Sequence, residues 1–269
     1  MAAILLLTLA VLVAMIVVMA AGWAYQRART NGGWTDVFWT FGTGFCLVLV
    51  ALWPVAGGAI TARQWLVAAL VAIWSLRLGI YIARRVSHGA EDPRYARFRR
   101  DWGADFQRRM FWFLESQAVA TALLALAVLI AARNPAPGLQ LTDALGALVM
   151  LAGIGGEAIA DAQMHAFRAD PANKGRVCDA GLWGWSRHPN YFFEWLVWLA
   201  YPVIAVGGLP PYWWLAFVGP LLMYWLLTRV SGVPPLEEAM MASRGEAYAK
   251  YRERVSAFFP LPPSRSPRG

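Results

Sequence analysis

Residues 2–25 read AAILLLTLAVLVAMIVVMAAGWAY, a stretch without one charged side chain. A helix crosses the hydrocarbon core of a bilayer with about 20 apolar residues, so this segment is long enough to span. No Lys or Arg precedes it and its apolar core is too long for a signal peptide, so it is read as a membrane helix.

The pattern recurs along the chain. Of 269 residues 59% are apolar, and mean hydropathy is +0.45. Further spans are predicted near 37–54, 64–83, 111–131, 142–163, 190–206 and 212–230. The expectation is an all-α integral membrane protein of about seven transmembrane helices, organised as a single membrane domain over 1–269.

Positive charge orients the bundle, because Lys and Arg in short loops stay on the cytoplasmic side. With the N-terminus outside, twenty basic residues fall on inside segments and two, Arg63 and Arg133, outside. The predicted topology is therefore N-out and C-in, in a bacterial inner membrane. The net charge of +8 then reflects topology and contact with anionic membrane lipids, and no nucleic-acid partner is expected. The arginines between Arg94 and Arg109, interleaved with acids, read as a solvated helix touching headgroups. Two cysteines, Cys46 and Cys178, and three histidines form no recognisable metal set, so no metal is expected.

The segment PLEEAMMASRGEAYAKYRERVSA (235–257) carries acids early and bases late, as a helix dipole favours, and Gly245 divides it into two short helices at the interface. The final residues, 261–269, are rich in Pro, Ser and Arg and are expected to be disordered. GIGGE (153–157) lacks the strand and spacing of a dinucleotide fingerprint, so its glycines are read as sites of close helix packing.

Ionisable groups within spans are costly and point to a partner or a cavity. Glu157, Asp161, His165 and Arg168 share one face of the fifth predicted span, and Asn190 and Glu194 lie one turn apart on the sixth. Between them runs the basic loop RADPANKGRVCDAGLWGWSRHP (168–189), whose Pro189 suits the first position of a helix. Arg187 and His188 just before that N-terminus would make an anion site, with Lys174 in the same loop. Alternatively these groups pair with one another or reach the headgroups.

GLWGWSRHPNYFFEW (181–195), with EAIADAQMHAFR (157–168) and EAYAKYRERVSAFFP (246–260), resembles the steroid 5-alpha-reductase C-terminal domain family, most closely its DUF1295 branch. Related signatures occur in sterol C14-reductases and isoprenylcysteine carboxyl methyltransferases. The resemblance covers about residues 70–260 and implies a cofactor half over 111–260, a substrate half over 1–110, and NADPH held without a Rossmann fold. It implies cofactor contacts from Asp161, Arg168, Arg176, Asn190, Tyr191, Glu194 and Arg229, with Glu157 where the steroid enzymes have Asn. Tyr248, Tyr251 and Arg252 fall in the segment that closes over the adenosine end.

The substrate half departs from that pattern. The steroid enzymes carry a Gln-Glu pair on their second helix, where this chain has DVFWTFGTGFCLVLV (36–50), and Trp74 takes the place of their catalytic Tyr. Reduction of 3-oxo-4-ene steroids is therefore not expected. Replacement proton donors are Asp36, Tyr81, and Glu115 with its neighbour Gln117, since a carboxyl group in apolar surroundings keeps its proton more readily. Read blandly, Asp36 is a helix cap, Tyr81 an interface anchor, and Glu115 with Gln117 a satisfied polar pair.

Three functions remain in view. The first is an NADPH-dependent reductase of a carbon–carbon double bond in a lipid or steroid-like substrate. The second is an S-adenosylmethionine-dependent methyltransferase, and the third a non-enzymatic lipid-binding protein. The cations at the mouth suit three phosphates better than a sulfonium, which favours the reductase.

Overall fold

The computed structural model describes residues 1–54, 57–89, 91–209 and 212–264. It is an all-helical membrane bundle, with no strand among the described residues. The helices are α1 (Ala2–Arg29), α2 (Trp34–Leu52), α3 (Ala62–His88), α4 (Pro93–Trp102), α5 (Phe106–Ala132), α6 (Leu141–Ala169), α7 (Pro189–Val206), α8 (Val218–Trp225), α9 (Val233–Arg244) and α10 (Glu246–Arg254). Among the described residues six helical stretches are long and apolar enough to cross a membrane: those of α1, α2, α3, α4 with α5, α6, and the run Trp213–Arg244. The remaining expected span, α7, is 18 residues long and spends four of them on Pro189, Asn190, Glu194 and Pro202, which lowers its apolarity.

Local chemistry sets the helix ends. Thr61 and Gln64 form a reciprocal capping box at the start of α3, with Gln64 N donating to Thr61 Oγ1 at 3.2 Å and Thr61 N to Gln64 Oε1 at 3.0 Å. Asp92 caps α4 ahead of Pro93. Gly245, at φ +51°, separates α9 from α10 as the sequence predicts, because a side chain there would be strained. A π-helical turn, Leu226–Val230, extends α8 and carries Arg229.

The chain forms two compact units. The first comprises Met1–Ala147 with Leu199–Leu222. In it α2 lies against α3 so closely that a Cβ on Gly44 would overlap Ser75, whose Oγ donates to Thr40 O at 3.0 Å. Thr43 and Thr121 join α2 to α5 through their hydroxyls at 3.2 Å. Trp74 is fully buried, edge-on to Trp39. Leu5, Leu6, Leu9, Val13 and Val17 of α1 stay exposed, as residues facing lipid do.

One polar site in this unit is closed on all sides. Arg63 grips Asp143 with two bonds of 2.7 Å, and its remaining donors reach the carbonyls of Asn134, Ala136 and Gly138 at 2.8, 2.8 and 2.6 Å. The two side chains are 3% and 1% exposed.

The second unit comprises Leu148–Trp198 with Met223–Gly269. Here α6 and α7 cross at glycines: a Cβ on Gly156 would overlap the Phe193 ring, and one on Gly153 would meet Val197 at 2.8 Å. The loop before α7 is pinned from below by Trp183 Nε1 on Ala160 O at 3.0 Å and Leu182 N on Gln163 Oε1 at 2.9 Å. It is pinned from the other side by the C-terminal segment, through Arg187 N on Ser256 O at 2.8 Å and Leu261 N on Trp185 O at 3.0 Å. Phe192, Trp195, Tyr224, Phe258 and Phe259 form one aromatic cluster beneath that segment. Of the tail expected to be disordered, Leu261 is thus tied to the loop and Ser264 N to Arg254 O at 2.9 Å; residues 265–269 lie outside the described residues.

Candidate functional site

The three proton-donor candidates lie in the first unit, each in a different setting. Asp36 is more than a helix cap. Its Oδ1 accepts from the buried Tyr95 hydroxyl at 2.6 Å and its Oδ2 from Arg94 Nη2 at 2.8 Å. Arg94 is thereby drawn partly off the solvated face expected of it, while Arg99, which pairs with Glu91 at 3.0 Å, stays 38% exposed as expected. Asp92, beside them, is held below the usual carboxylate range: burial pushes it up, and the adjacent Arg94 and Arg85 more than offset that. Tyr81 sits between two guanidiniums, Arg77 and Arg85, 5.8 and 5.9 Å from its ring centre. Both carboxyl oxygens of Glu115 are enclosed without a hydrogen-bond partner among the described residues, so it forms no satisfied pair with Gln117.

The cofactor candidates all lie in the second unit and sort into three groups. Glu157 and Asp161 of α6 and Glu194 of α7 are buried; the Trp198 indole donates to Glu194 Oε1 at 3.0 Å. Asn190 and Tyr191, in the first turn of α7, are half-buried, and the Tyr191 ring stacks on His188 at 5.6 Å with 10° between planes. Arg168, Lys174, Arg176 and Arg229 are exposed, and among the described residues none of the four sits in an ion pair. The polar stripe on α6 therefore changes character along its length: acids inside, then His165 and Arg168 at the surface.

The third group gathers around a residue that the sequence reading passed over. Glu237, in the first turns of α9, accepts from Arg187 Nε at 2.7 Å and lies 3.3 Å from His188 Nε2, both on Oε1, while Oε2 lies 3.3 Å from Arg252 Nε. Arg187 Nη1 also donates to the carbonyls of Arg252 at 3.1 Å and Val255. Ser186, fully buried, donates to Phe258 O at 2.8 Å and accepts from His188 N at 3.1 Å. Tyr251 donates its hydroxyl to Trp183 O, and the Tyr248 ring packs on Tyr251 at 5.8 Å. Arg187, His188, Tyr191, Tyr248, Tyr251 and Arg252 thus form one assembly with a carboxylate at its centre.

Burial governs the protonation of this assembly. It holds the His188 imidazole below its ordinary value, although the Glu237 carboxylate pulls the other way. Burial and the same carboxylate push Tyr248 up to about 12, and burial raises Tyr251 further. Both phenols are therefore neutral hydrogen-bond donors at physiological pH.

Two grooves open on the unit. One, of about 460 Å³, is lined by Val233, Pro234, Glu237, Glu238, Met241 and Arg252. The other, of about 410 Å³, runs along Gly156, Ile159 and Gln163 to Trp185, Phe193 and Pro260 and is nearly all apolar. At 100° per residue, Gly156, Ile159 and Gln163 occupy the face of α6 opposite to Glu157 and Asp161. A single helix thus separates an acidic stripe from an apolar groove, the two chemistries an amphiphile presents.

Glu237 was readable in principle. Two guanidiniums in one assembly demand a counter-charge, and Glu237-Glu238 fall in the first turns of α9, one residue after its Pro-Pro. Ser186 gave no such signal, since a serine before Arg reads as loop.

A family profile described as "Protein of unknown function (DUF1295)" matches residues 22–255 of the chain. A protein of Schizosaccharomyces pombe (strain 972 / ATCC 24843) described as "Uncharacterized protein C594.04c" is 34% identical over 98 residues, which make up 35% of this chain and 27% of that protein. The chain thus spans about a quarter of that relative's length. No solved structure gives a significant match. The protein belongs to the DUF1295 family.

Proposed function

We propose that this DUF1295 protein is a membrane-embedded, NADPH-dependent reductase of a carbon–carbon double bond in a lipid or steroid-like substrate. The observation that carries the reading is the gradient along the second unit: Glu157, Asp161 and Glu194 buried on two tightly crossed helices, followed by exposed Arg168, Lys174 and Arg176. That order suits a ligand with hydroxyl and amide groups at one end and phosphates at the other. NADPH, when bound, supplies the hydride for one carbon of an activated double bond.

The chain's own part is to bind, orient and exclude water. Buried carboxylates accept hydrogen bonds from ribose hydroxyls, and Asn190 both donates and accepts. Arg168, Lys174 and Arg176 answer the phosphates. The apolar groove beside Phe193 suits the hydrocarbon of a lipid substrate. Completing the addition needs a proton at the second carbon, and of the donors Asp36, Tyr81 and Glu115 the last is best suited in chemistry, since its carboxyl has no hydrogen-bond partner among the described residues. On this reading the cofactor mouth faces the cytoplasm of a bacterial inner membrane.

One observation favours the methyltransferase alternative. Glu237 already compensates Arg187 and Arg252, and the smaller excess of positive charge suits S-adenosylmethionine, which brings one sulfonium and one carboxylate. Calorimetry on the purified protein separates the two. NADPH is expected to bind about tenfold or more tighter than NADH, because exposed cations read the 2′-phosphate. Equal affinity for both nucleotides, or binding of S-adenosylmethionine alone, overturns the reductase.

A further inference from the structure

The two guanidiniums on Glu237 are held in different ways. Arg187 is 9% exposed, bonded at 2.7 Å, and anchored besides by two main-chain carbonyls. Arg252 is 45% exposed, and its side chain reaches Glu237 Oε2 at 3.3 Å. It also lines the 460 Å³ groove together with Glu237 itself. Removing a partner from a buried pair is costly, whereas an exposed, long ion pair contributes little and exchanges readily. Arg187 is therefore a fixture and Arg252 a cation on loan.

We propose that Glu237 is a built-in competitor for a phosphate-bearing ligand at this groove: it holds Arg252 in the ligand-free fold, and the ligand's phosphate takes Arg252 over while Glu237 stays on Arg187 and His188. The chemistry is that of exchange between two anions. A guanidinium pairs with phosphate oxygens at least as well as with a carboxylate, and often through two bonds. The competing carboxylate raises the concentration a phosphate needs, and it discriminates against weak anions, which cannot displace it. Met241, Val233 and Pro234 on the groove wall offer apolar surface to whatever the phosphate is attached to. The inference rests on the cofactor reading above only for the identity of the ligand; the exchange itself requires only a phosphate.

The test is calorimetric titration of the full-length protein in detergent with NADPH and, separately, with inorganic pyrophosphate. In Glu237→Gln the amide oxygen still accepts from Arg187, which also keeps its two main-chain carbonyl partners, while the competing charge is gone. Affinity for pyrophosphate is expected to rise about three- to fivefold, the range of an exposed ion pair. Arg252→Ala, at an exposed position that carries no fold risk, is expected to weaken binding and to abolish the gain when combined with Glu237→Gln. Unchanged or weaker pyrophosphate binding in Glu237→Gln overturns the proposal. So does wild-type affinity in Arg252→Ala, or no pyrophosphate binding by any of these proteins. Pyrophosphate that follows the expected series while NADPH fails to bind leaves the competitor standing and removes the cofactor reading; NADPH binding alongside a flat pyrophosphate series does the reverse. Repeating the pyrophosphate titration in phosphatidylcholine and phosphatidylglycerol nanodiscs identifies the phosphate's source. A headgroup at Arg252 lowers affinity in phosphatidylglycerol for the wild type more than for Arg252→Ala, and a soluble ligand leaves the two proteins equally affected. Either pattern, joined to the Glu237→Gln gain, supports the exchange.

Discussion

Arg63–Asp143 in the first unit and Arg187–Glu237–Arg252 in the second are built from the same two functional groups and differ in closure. At Arg63 the guanidinium meets a carboxylate and three carbonyls, and water reaches none of it. At Glu237 one guanidinium is largely enclosed, a second is half in solvent, and a groove runs beside them. A saturated site ties helices together, here the start of α3 to the start of α6. A site that is saturated on one side only keeps an exchangeable partner, which is what ligand recognition requires.

The largest expected effect tests the closed half of this comparison. Asp143→Ala leaves Arg63 buried and uncompensated, which costs about 3 to 5 kcal/mol. A large fall in the melting temperature of the detergent-solubilised protein is the expected outcome, with no dependence on added nucleotide beyond that of the wild type. A variant that melts like the wild type would mean that water enters the site and that the two regions are alike.

The second effect belongs to the open half. Asn190→Ala and Glu194→Gln each remove one hydrogen-bonding function at α7 while leaving the fold in place, since the glutamine oxygen still accepts from Trp198. Nucleotide affinity is expected to fall about tenfold, equivalent to about 1.4 kcal/mol. The melting temperature without ligand is expected to move little. A collapse of stability with no separable binding defect would make these residues structural, like Asp143.

The sequence told more about the bundle than about this contrast. Spans as uncharged as 2–25 and the break at Gly245 were legible because hydropathy and a left-handed glycine act locally. The acid stripe on α6 and the Asn190–Glu194 pair on α7 were legible because helical spacing alone places them on common faces. Closure is not local. Arg63 is paired 80 residues away and Arg187 50 residues away, whereas from the sequence Arg63 reads as a topology signal and Arg187 as a cation awaiting an anion. Asp36 illustrates the same gap: its position suggests a cap, and only the fold brings Tyr95 and Arg94 onto its two oxygens.

The smallest effect is a pH dependence confined to the open site. His188 faces the Glu237 carboxylate on α9, the Arg187 guanidinium beside it in the loop, and the Tyr191 ring on α7. Burial and Arg187 disfavour the imidazolium, Glu237 favours it, and burial wins, so the folded imidazole titrates below the ordinary value of 6.5. Below pH 6.5 the unfolded chain then binds more protons at this residue than the folded one does. His188 therefore contributes its full stability above pH 6.5, and that contribution declines as pH falls from 6.5 toward the lower folded value. Melting curves of the wild type and His188→Gln, compared at several pH values through this window, isolate the histidine from the other titrating groups. The stability difference between the two proteins is expected to shift against the wild type as the pH drops. A shift in the opposite direction would mean that Glu237 outweighs burial and holds His188 as a cation. The open site would then carry three positive charges on one carboxylate, and its preference for a phosphate would be stronger than the neutral histidine implies.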